Sequence, residues 1–480
     1  MCLRKPTSQD SQGVLPRRLH LSRNLLLTIV DGFHYRYLVQ TGIFDYLLKG
    51  SDKLVVCATD PVLAILRERV ELKLVLSNLP AVKSNRKTAV HLFLRSCASR
   101  RLSETLNIKA EQQRMSAPWR FHLRRWLGAL FDAVGIDPSR WVESAWHDAS
   151  IDCLLRDHAI TLLVLSTPGQ KLEDLPYLES ARRQGILTIS PVYSWDNLTA
   201  KGPFVIPPGK LVVWNEGMKH EACHFHGYAP EDVLVGGVPV FDSYVAVRAG
   251  ADAVARKTFL SSLGLDPAKQ LVTLTTIPPV YYGASHYALV QMLTGWMASG
   301  ELAGISLLIR PHPMDDTDYT GLVCPDVVLD NYGSTPSADP RHWIPAEDNT
   351  QHLGRTMAFS DVVINIASTI TVDAACFDTP TVNIAFDIKP CGNEYVGTVA
   401  RYYKYTHYKL VVDTGAAALV SSPRELLAAV RAYLADPALD RIGRALLLSK
   451  QVGTTDGQAW RRTADAILNS GASDSCQSPI

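Results

Sequence analysis

At 480 residues, 47% hydrophobic and 20% charged, with a net charge of +1, the chain has the composition of an ordinary globular protein too long for one hydrophobic core. Two domains of roughly 200 residues each are expected, and the near-neutral balance gives no reason to expect nucleic acid as a partner. Nine cysteines, odd in number and without a CxxC pair, argue against a disulfide framework and a structural zinc site and fit a reducing cytoplasm.

In chain order, residues 1–21 read as a disordered lead-in without the apolar core of a signal peptide. No apolar run reaches the roughly 18–20 residues needed to cross a bilayer. The expectation is a cytoplasmic protein, soluble or peripheral to the inner membrane face. Next come LLLTIV (25–30), KLVVCAT (53–59), TLLVLST (161–167), ILTISPVYS (186–194) and KLVVWN (210–215), most of them preceded by a helical stretch. Runs without polar alternation, separated by helices, predict parallel strands covered on both faces. The region 70–150 yields no clear elements. Its part from Ala81 to Arg125 holds eleven Lys and Arg against Glu104 and Glu111, a local excess of nine positive charges. That part ends in an aromatic, basic stretch, Trp119 to Leu127. A solvated basic face is the default reading. A contact with an anionic membrane, through segment 81–126, or with a polyanionic or lipid-diphosphate acceptor is the alternative.

The pattern restarts after Val233. A last strand, a Gly-Gly-Val-Pro turn and a linking helix lead to a second strand set, at 271–277, 305–311, 327–330, 361–368 and 379–385. Polar-faced helices close the chain, of a kind that often crosses back to brace a first domain. The division expected is 22–235 for an N-terminal Rossmann-like domain and 236–455 for a second one. Residues 456–480 follow as a terminal helix and tail. Two such domains suggest a cleft where ligands meet the carboxyl ends of strands.

Two strand-exit turns carry the chemistry. Arg310-Pro311-His312-Pro313 fixes an imidazole between prolines, where His312 and Arg310 can hydrogen-bond phosphate oxygens. Ser368 and Thr369 fall at a helix start, where free N–H groups favour an anion, and Asp373 follows one turn on, within reach of ribose hydroxyls. No GxGxxG follows a strand and no GxxxxGK[ST] is present, which removes dinucleotide and P-loop readings. The run Asp315-Asp316-Thr317-Asp318 reads as a solvated helix start, and no metal is expected. A transferase also needs a base. Asp31, directly after the first strand and before Gly32, is favoured, with His34 close behind. Asp196 is second and Glu216 third.

The RPHP element followed by the Ala-Ser-Thr turn resembles the nucleotide-binding half of bacterial surface-polysaccharide enzymes of the GT-B type. These are sialyltransferase-like and Kdo-transferase-like capsule enzymes and the CDP-glycerol glycerophosphotransferases. GGVPVFDSY (236–244) is similar to their interdomain GxPxxD phrase, and YSWDNLTAKG (193–202) with VVWNEGMKHEA (212–222) looks like phrases of surface-carbohydrate proteins. The resemblance covers roughly residues 186–465. It implies an α/β fold of two Rossmann-like domains facing a cleft, with Arg310, His312 and Pro313 and then Ser368 and Thr369 on the donor phosphates. It also implies a cleft role for His407 in RYYKYTHY (401–408), a segment that reads equally as a half-buried edge. The chain departs from the sialyltransferase-like pattern by offering only Asp31-Gly32 where two acidic residues precede the glycine.

The expected function is a metal-independent glycosyltransferase. It would take a CMP-, CDP- or UDP-linked sugar as substrate, without a cofactor, and a cell-surface glycan or lipid-linked molecule as acceptor. The alternatives are a CDP-glycerol-type phosphotransferase using His312 and His407, a sugar-nucleotide epimerase, and a non-catalytic scaffold on the same fold.

Overall fold

A computed structural model describes residues 22–470 except 70, 81–84, 98–102, 137, 283–284, 333–342 and 389–397. The expected lead-in 1–21, most of the terminal tail and Lys83, Arg100 and Arg101 lie outside the described residues.

Among the described residues the chain forms two wholly parallel sheets. The first contains β1 (Asn24–Ile29), β2 (Lys53–Ala58), β3 (Leu74–Asn78), β4 (Leu162–Val164), β5 (Leu187–Pro191), β6 (Lys210–Val213) and β7 (Val233–Val235). Their spatial order is β3-β2-β1-β4-β5-β6-β7. The second contains β8 (Gln270–Thr275), β9 (Ile305–Arg310), β10 (Val327–Leu329), β11 (Val362–Asn365), β12 (Thr381–Ile384) and β13 (Ala418–Val420), in the order β10-β9-β8-β11-β12-β13. Both orders step outward in each direction from the first strand of the sheet, as in doubly wound α/β folds.

The unbroken apolar runs have the cause expected of them. In β1, Leu25, Leu27 and Ile29 join one core cluster and Leu26 another on the opposite face; in β2, Leu54, Val56 and Ala58 divide from Val55 and Cys57 in the same way. The second sheet repeats this, with Val272 and Leu274 on one face and Leu271 on the other. The central strands are covered on both faces, so a polar side chain there needs an internal partner, as Thr28 has in donating to Asp174 (2.7 Å).

The two units share packing. One core cluster draws Val192, Trp195, Leu211 and Val213 from the first and Val372, Ala375, Tyr403 and Tyr408 from the second. The terminal helix Ala459–Asn469 returns to the first unit, where Ala464, Ile467 and Leu468 enter the core beneath β1 and β2. The Gly-Gly-Val-Pro turn prepares this return. Asp242 accepts the backbone N–H groups of Ala459 (3.1 Å) and Trp460 (2.7 Å), capping that helix from a distance in sequence. Gly237 sits at φ +94°, where a Cβ would lie 2.8 Å from Ala459. No helix among the described residues is long and apolar enough to cross a membrane.

Candidate functional site

Between the two sheets lies a cavity of about 350 Å³, lined from both units. Every contributing loop leaves the carboxyl end of a strand, as the topology of open α/β sheets requires. The first unit supplies Phe33 and Arg36 after β1, Tyr193 and Ser194 after β5, and Trp214 after β6. The second supplies Thr275 and Thr276 from β8, Arg310 to Met314 from β9, Asp330 after β10, and Ser368, Thr369 and Asp373 after β11. The two turns singled out in the sequence therefore open into one space.

Each turn is held by its own polar frame. The backbone N–H of His312 donates to the Thr276 hydroxyl (2.9 Å), which donates in turn to the buried Asp315 carboxylate (2.5 Å). Tyr319 also donates to Asp315 (2.8 Å), and the backbone of Thr317 does so at 3.1 Å. Asp315 is thus an internal brace for the His-Pro turn rather than part of a solvated helix start. Met314 N–H donates to His312 Nδ1 (3.0 Å), which sets the neutral tautomer with its proton on Nε2. Burial lowers this imidazole to about 4; Asp315 pulls the other way, and Arg36 and His286 add to the fall. At neutral pH, His312 is an uncharged donor.

Arg310 is fixed by an ion pair with Asp330, which also accepts from His352 Nε2 (3.0 Å). Burial pushes the Asp330 carboxyl up, but His352 and Arg310 outweigh it and hold it at about 2. At the second turn, Ala367 takes a left-handed φ of +37°, and its N–H donates to the Tyr403 hydroxyl (3.1 Å). Backbone strain of this kind persists only where neighbours over-determine it. Here Tyr403 donates to Ile384 O (2.8 Å), Ser368 N–H reaches Asn365 Oδ1 (3.3 Å), and the Tyr408 hydroxyl meets Thr371 Oγ1 (2.9 Å). The aromatic 401–408 segment braces the Ser368–Thr369 turn from behind.

Asp373 is buried at the cavity wall and accepts the Tyr244 hydroxyl (2.6 Å). Burial raises its carboxyl to about 6, against the hydrogen bond from Tyr244 and the charges of Arg36 and Arg310. Arg36 is the cavity residue that the sequence reading missed. It stands on helix Gly32–Leu38 with its guanidinium 5.9 Å from the Trp343 ring centre. Burial works against its charge, and Tyr244 and Asp373 work for it. The signal was a basic residue two positions beyond His34 on the helix that leaves β1, a place where only Asp31 and His34 drew notice.

The residues expected as bases lie elsewhere. Asp31 does not line the cavity; its carboxylate turns back to cap helix Gly32–Leu38, accepting from Phe33 N (3.0 Å) and His34 N (3.1 Å), and meets His34 Nδ1 at 2.6 Å. Burial pushes its carboxyl up, but His34 and Lys171 hold it at about 2. His34 Nε2 is buried without a hydrogen-bond partner among the described residues, and its ring lies 4.3 Å from that of Tyr193, a cavity residue. Asp196 accepts from Ser194 Oγ (2.6 Å) and faces Lys201 (3.8 Å). Glu216 starts helix Glu216–His226 outside the cavity.

His407 does not join His312. It lines a second cavity of about 310 Å³ with Trp195, Asn215, Glu221 and Lys450. Its Nδ1 is 3.4 Å from Thr199 Oγ1, and burial lowers it to about 4. Among the described residues no group of three or more His, Cys, Asp or Glu side chains could hold a metal ion.

No family model matches the chain, and no curated protein matches it by sequence. Solved structures do match in shape along nearly the whole chain. The S. aureus MnaA–UDP co-structure aligns with a TM-score of 0.53 at 10% identity, over 95% of this chain and 99% of its own. A putative UDP-N-acetylglucosamine 2-epimerase from Listeria monocytogenes gives 0.51 at 11%, over 96% and 100%. The wall teichoic acid polymerase TagF gives 0.50 at 10%, over 95% and 90%. The structural neighbours are of the GT-B kind, and the chain has the same architecture of two Rossmann-like domains facing a cleft.

Proposed function

We propose that the protein is a glycosyltransferase that binds a nucleotide-activated sugar in the interdomain cavity and passes the sugar to a cell-surface glycan or lipid-linked acceptor. One observation carries this reading. Arg310 and His312 after β9, and Ser368 and Thr369 after β11, line the same space, and Arg36 lines it from the facing unit. Two guanidinium groups, a neutral imidazole N–H and two hydroxyls form a donor set suited to a phosphate leaving group. With that set, the leaving charge needs no metal. Asp373, at about 6, is the cavity carboxyl suited to accept from a ribose or acceptor hydroxyl. We assign proton removal to it in place of Asp31, whose carboxylate is engaged by its own helix. The likeness to a UDP complex, to a putative UDP-N-acetylglucosamine 2-epimerase and to a wall teichoic acid polymerase supports a nucleotide-linked substrate.

The test is a thermal-shift panel of CMP, CDP, UDP, GDP and dTDP. A nucleotide at a hundred times its Kd stabilises the folded state by about 2.7 kcal/mol. One nucleotide should raise the melting temperature of the wild type and not that of His312→Ala, whose own melting temperature stays close to wild type. Equal shifts in both proteins would refute the site. Product analysis then separates the reactions on this fold. Transfer to an acceptor identifies the transferase, an isomerised sugar nucleotide without acceptor identifies the epimerase, and CMP from CDP-glycerol identifies the phosphotransferase. The wide separation of roles between His312 and His407, which line different cavities, argues against the last.

A further inference from the structure

The helix Pro118–Val134 has one face turned to the protein and one turned away. Inward, Gly128 is so close to the helix Arg86–Cys97 that a Cβ would meet Cys97 O at 2.6 Å. Arg124 lies 5.7 Å over the Phe93 ring and donates to Gln113 Oε1 (2.8 Å). Outward, Trp119 is 66% exposed, Leu123 39%, Trp126 63% and Leu130 45%. At about 100° per residue these four share an arc of about 60°. Single exposed apolar side chains are common on any protein, but two indoles on one stripe with two leucines between and beyond them are not. Trp141, 69% exposed, follows on the next short helix.

Basic side chains flank the stripe. Arg120 lies on one side, its guanidinium 5.2 Å over the Trp119 ring, and Arg125 on the other. Arg86 and Lys87 are exposed on the neighbouring helix, within the segment that carries the excess of nine positive charges. Tryptophan and leucine inside a border of arginine match the boundary between acyl chains and anionic head groups, where indole rings sit with one edge wet. A second copy of the chain fits poorly, because a two-fold contact through this face would set one basic segment against the other.

We infer that the outward face of helix Pro118–Val134 seats the protein on an anionic lipid surface, with Trp119, Leu123, Trp126 and Leu130 entering the interface and Arg120 and Arg125 meeting the head groups. The helix lies in the plane of the surface and does not cross it. This inference concerns where the protein acts and does not depend on which nucleotide it binds.

The test uses the full chain with vesicles of phosphatidylcholine alone and of an equimolar mixture with phosphatidylglycerol. Co-sedimentation is expected with the mixed vesicles at low salt, weakening as salt rises, together with a blue shift of tryptophan emission. The double variant Trp119→Ala, Trp126→Ala should lose about tenfold in partitioning, and Arg120→Gln, Arg125→Gln should lose the preference for the anionic lipid. Both variants alter exposed side chains, so their melting temperatures should match the wild type. Failure to sediment with anionic vesicles at low salt overturns the inference, as does equal binding to both vesicle types or binding untouched by the tryptophan variant. Self-association that the tryptophan variant abolishes, without vesicle binding, overturns it in favour of a contact between copies. None of these failures affects the nucleotide-dependent thermal shift, so the two proposals stand or fall separately.

Discussion

Asp31 and Asp373 are carboxyls that burial treats alike and neighbours treat oppositely. Burial raises both, but Asp31 gains His34 and two backbone N–H groups and falls to about 2, whereas Asp373 stays up at about 6. The consequence for stability has a definite sign. An acid raised above its unfolded value of 3.8 favours the fold below that pH, and the advantage is lost as pH rises through about 6. Asp373→Asn removes that loss. The variant should therefore gain stability relative to wild type between pH 5 and 7.5, on the order of 1–3 kcal/mol, as measured by urea denaturation at the two pH values. Wild-type turnover is expected to rise through about pH 6 as this carboxyl ionises, and the Asn variant, which cannot take the proton, should lose most turnover at every pH. The strand-exit position of Asp31 was legible, because an aspartate just past an apolar run stands out, and Asp373 was legible as a residue one turn into the helix after β11. Orientation was not legible, because a side chain that caps its own helix and one that faces a ligand have the same sequence neighbours. Arg36 went unseen for a related reason: a basic residue on a short helix says nothing of the second unit that encloses it.

Among the elements, helix Gly32–Leu38 shows why Asp31 is followed by glycine. A Cβ on Gly32 would sit 1.7 Å from the Trp343 carbonyl oxygen, so the segment bearing Trp343 can cross the helix start only over a bare backbone. The Trp343 ring packs at a tilt against that of Phe33, their centres 4.6 Å apart, and both line the cavity. Gly32→Ala should displace this crossing, lower the melting temperature by several degrees and weaken nucleotide-induced stabilisation; a wild-type thermal profile with full nucleotide response would refute the role. The doubly covered strands were evident from their unbroken apolar runs, and β10 with them. β3 and β13 were not, and both are edge strands of their sheets. An edge strand is covered less completely, as the half-buried Leu74–Ser77 and the exposed Leu419 show. Edge position weakens the continuous hydrophobic signature of a parallel strand without always hiding it, since β7 and β10 are edge strands too. The basic helices between β3 and β4 were legible only at Trp119 to Leu127, with its helical spacing, because few of their apolar residues besides Ile108 and Cys97 reach a core.

Across the whole molecule, the shared cluster around Trp195 and Tyr408 ties the two units together, and the terminal helix returns to the first of them. Ile467 is fully buried among residues of the first sheet although it is nearly 440 positions from β1. Ile467→Ala should cost about 2–5 kcal/mol, and hydrogen exchange should find the loss in β1 and β2 rather than in β8 to β13. Loss of protection confined to the second sheet would contradict that placement. The same helix bears on how the protein is made. A ribosome delivers β1 to β7 long before it delivers Ala464, Ile467 and Leu468, so the first half must wait with an open seam in its interior while the second half is synthesised. Newly made chains should be open to protease attack near β1 and β2 until the last helix emerges and closes that seam.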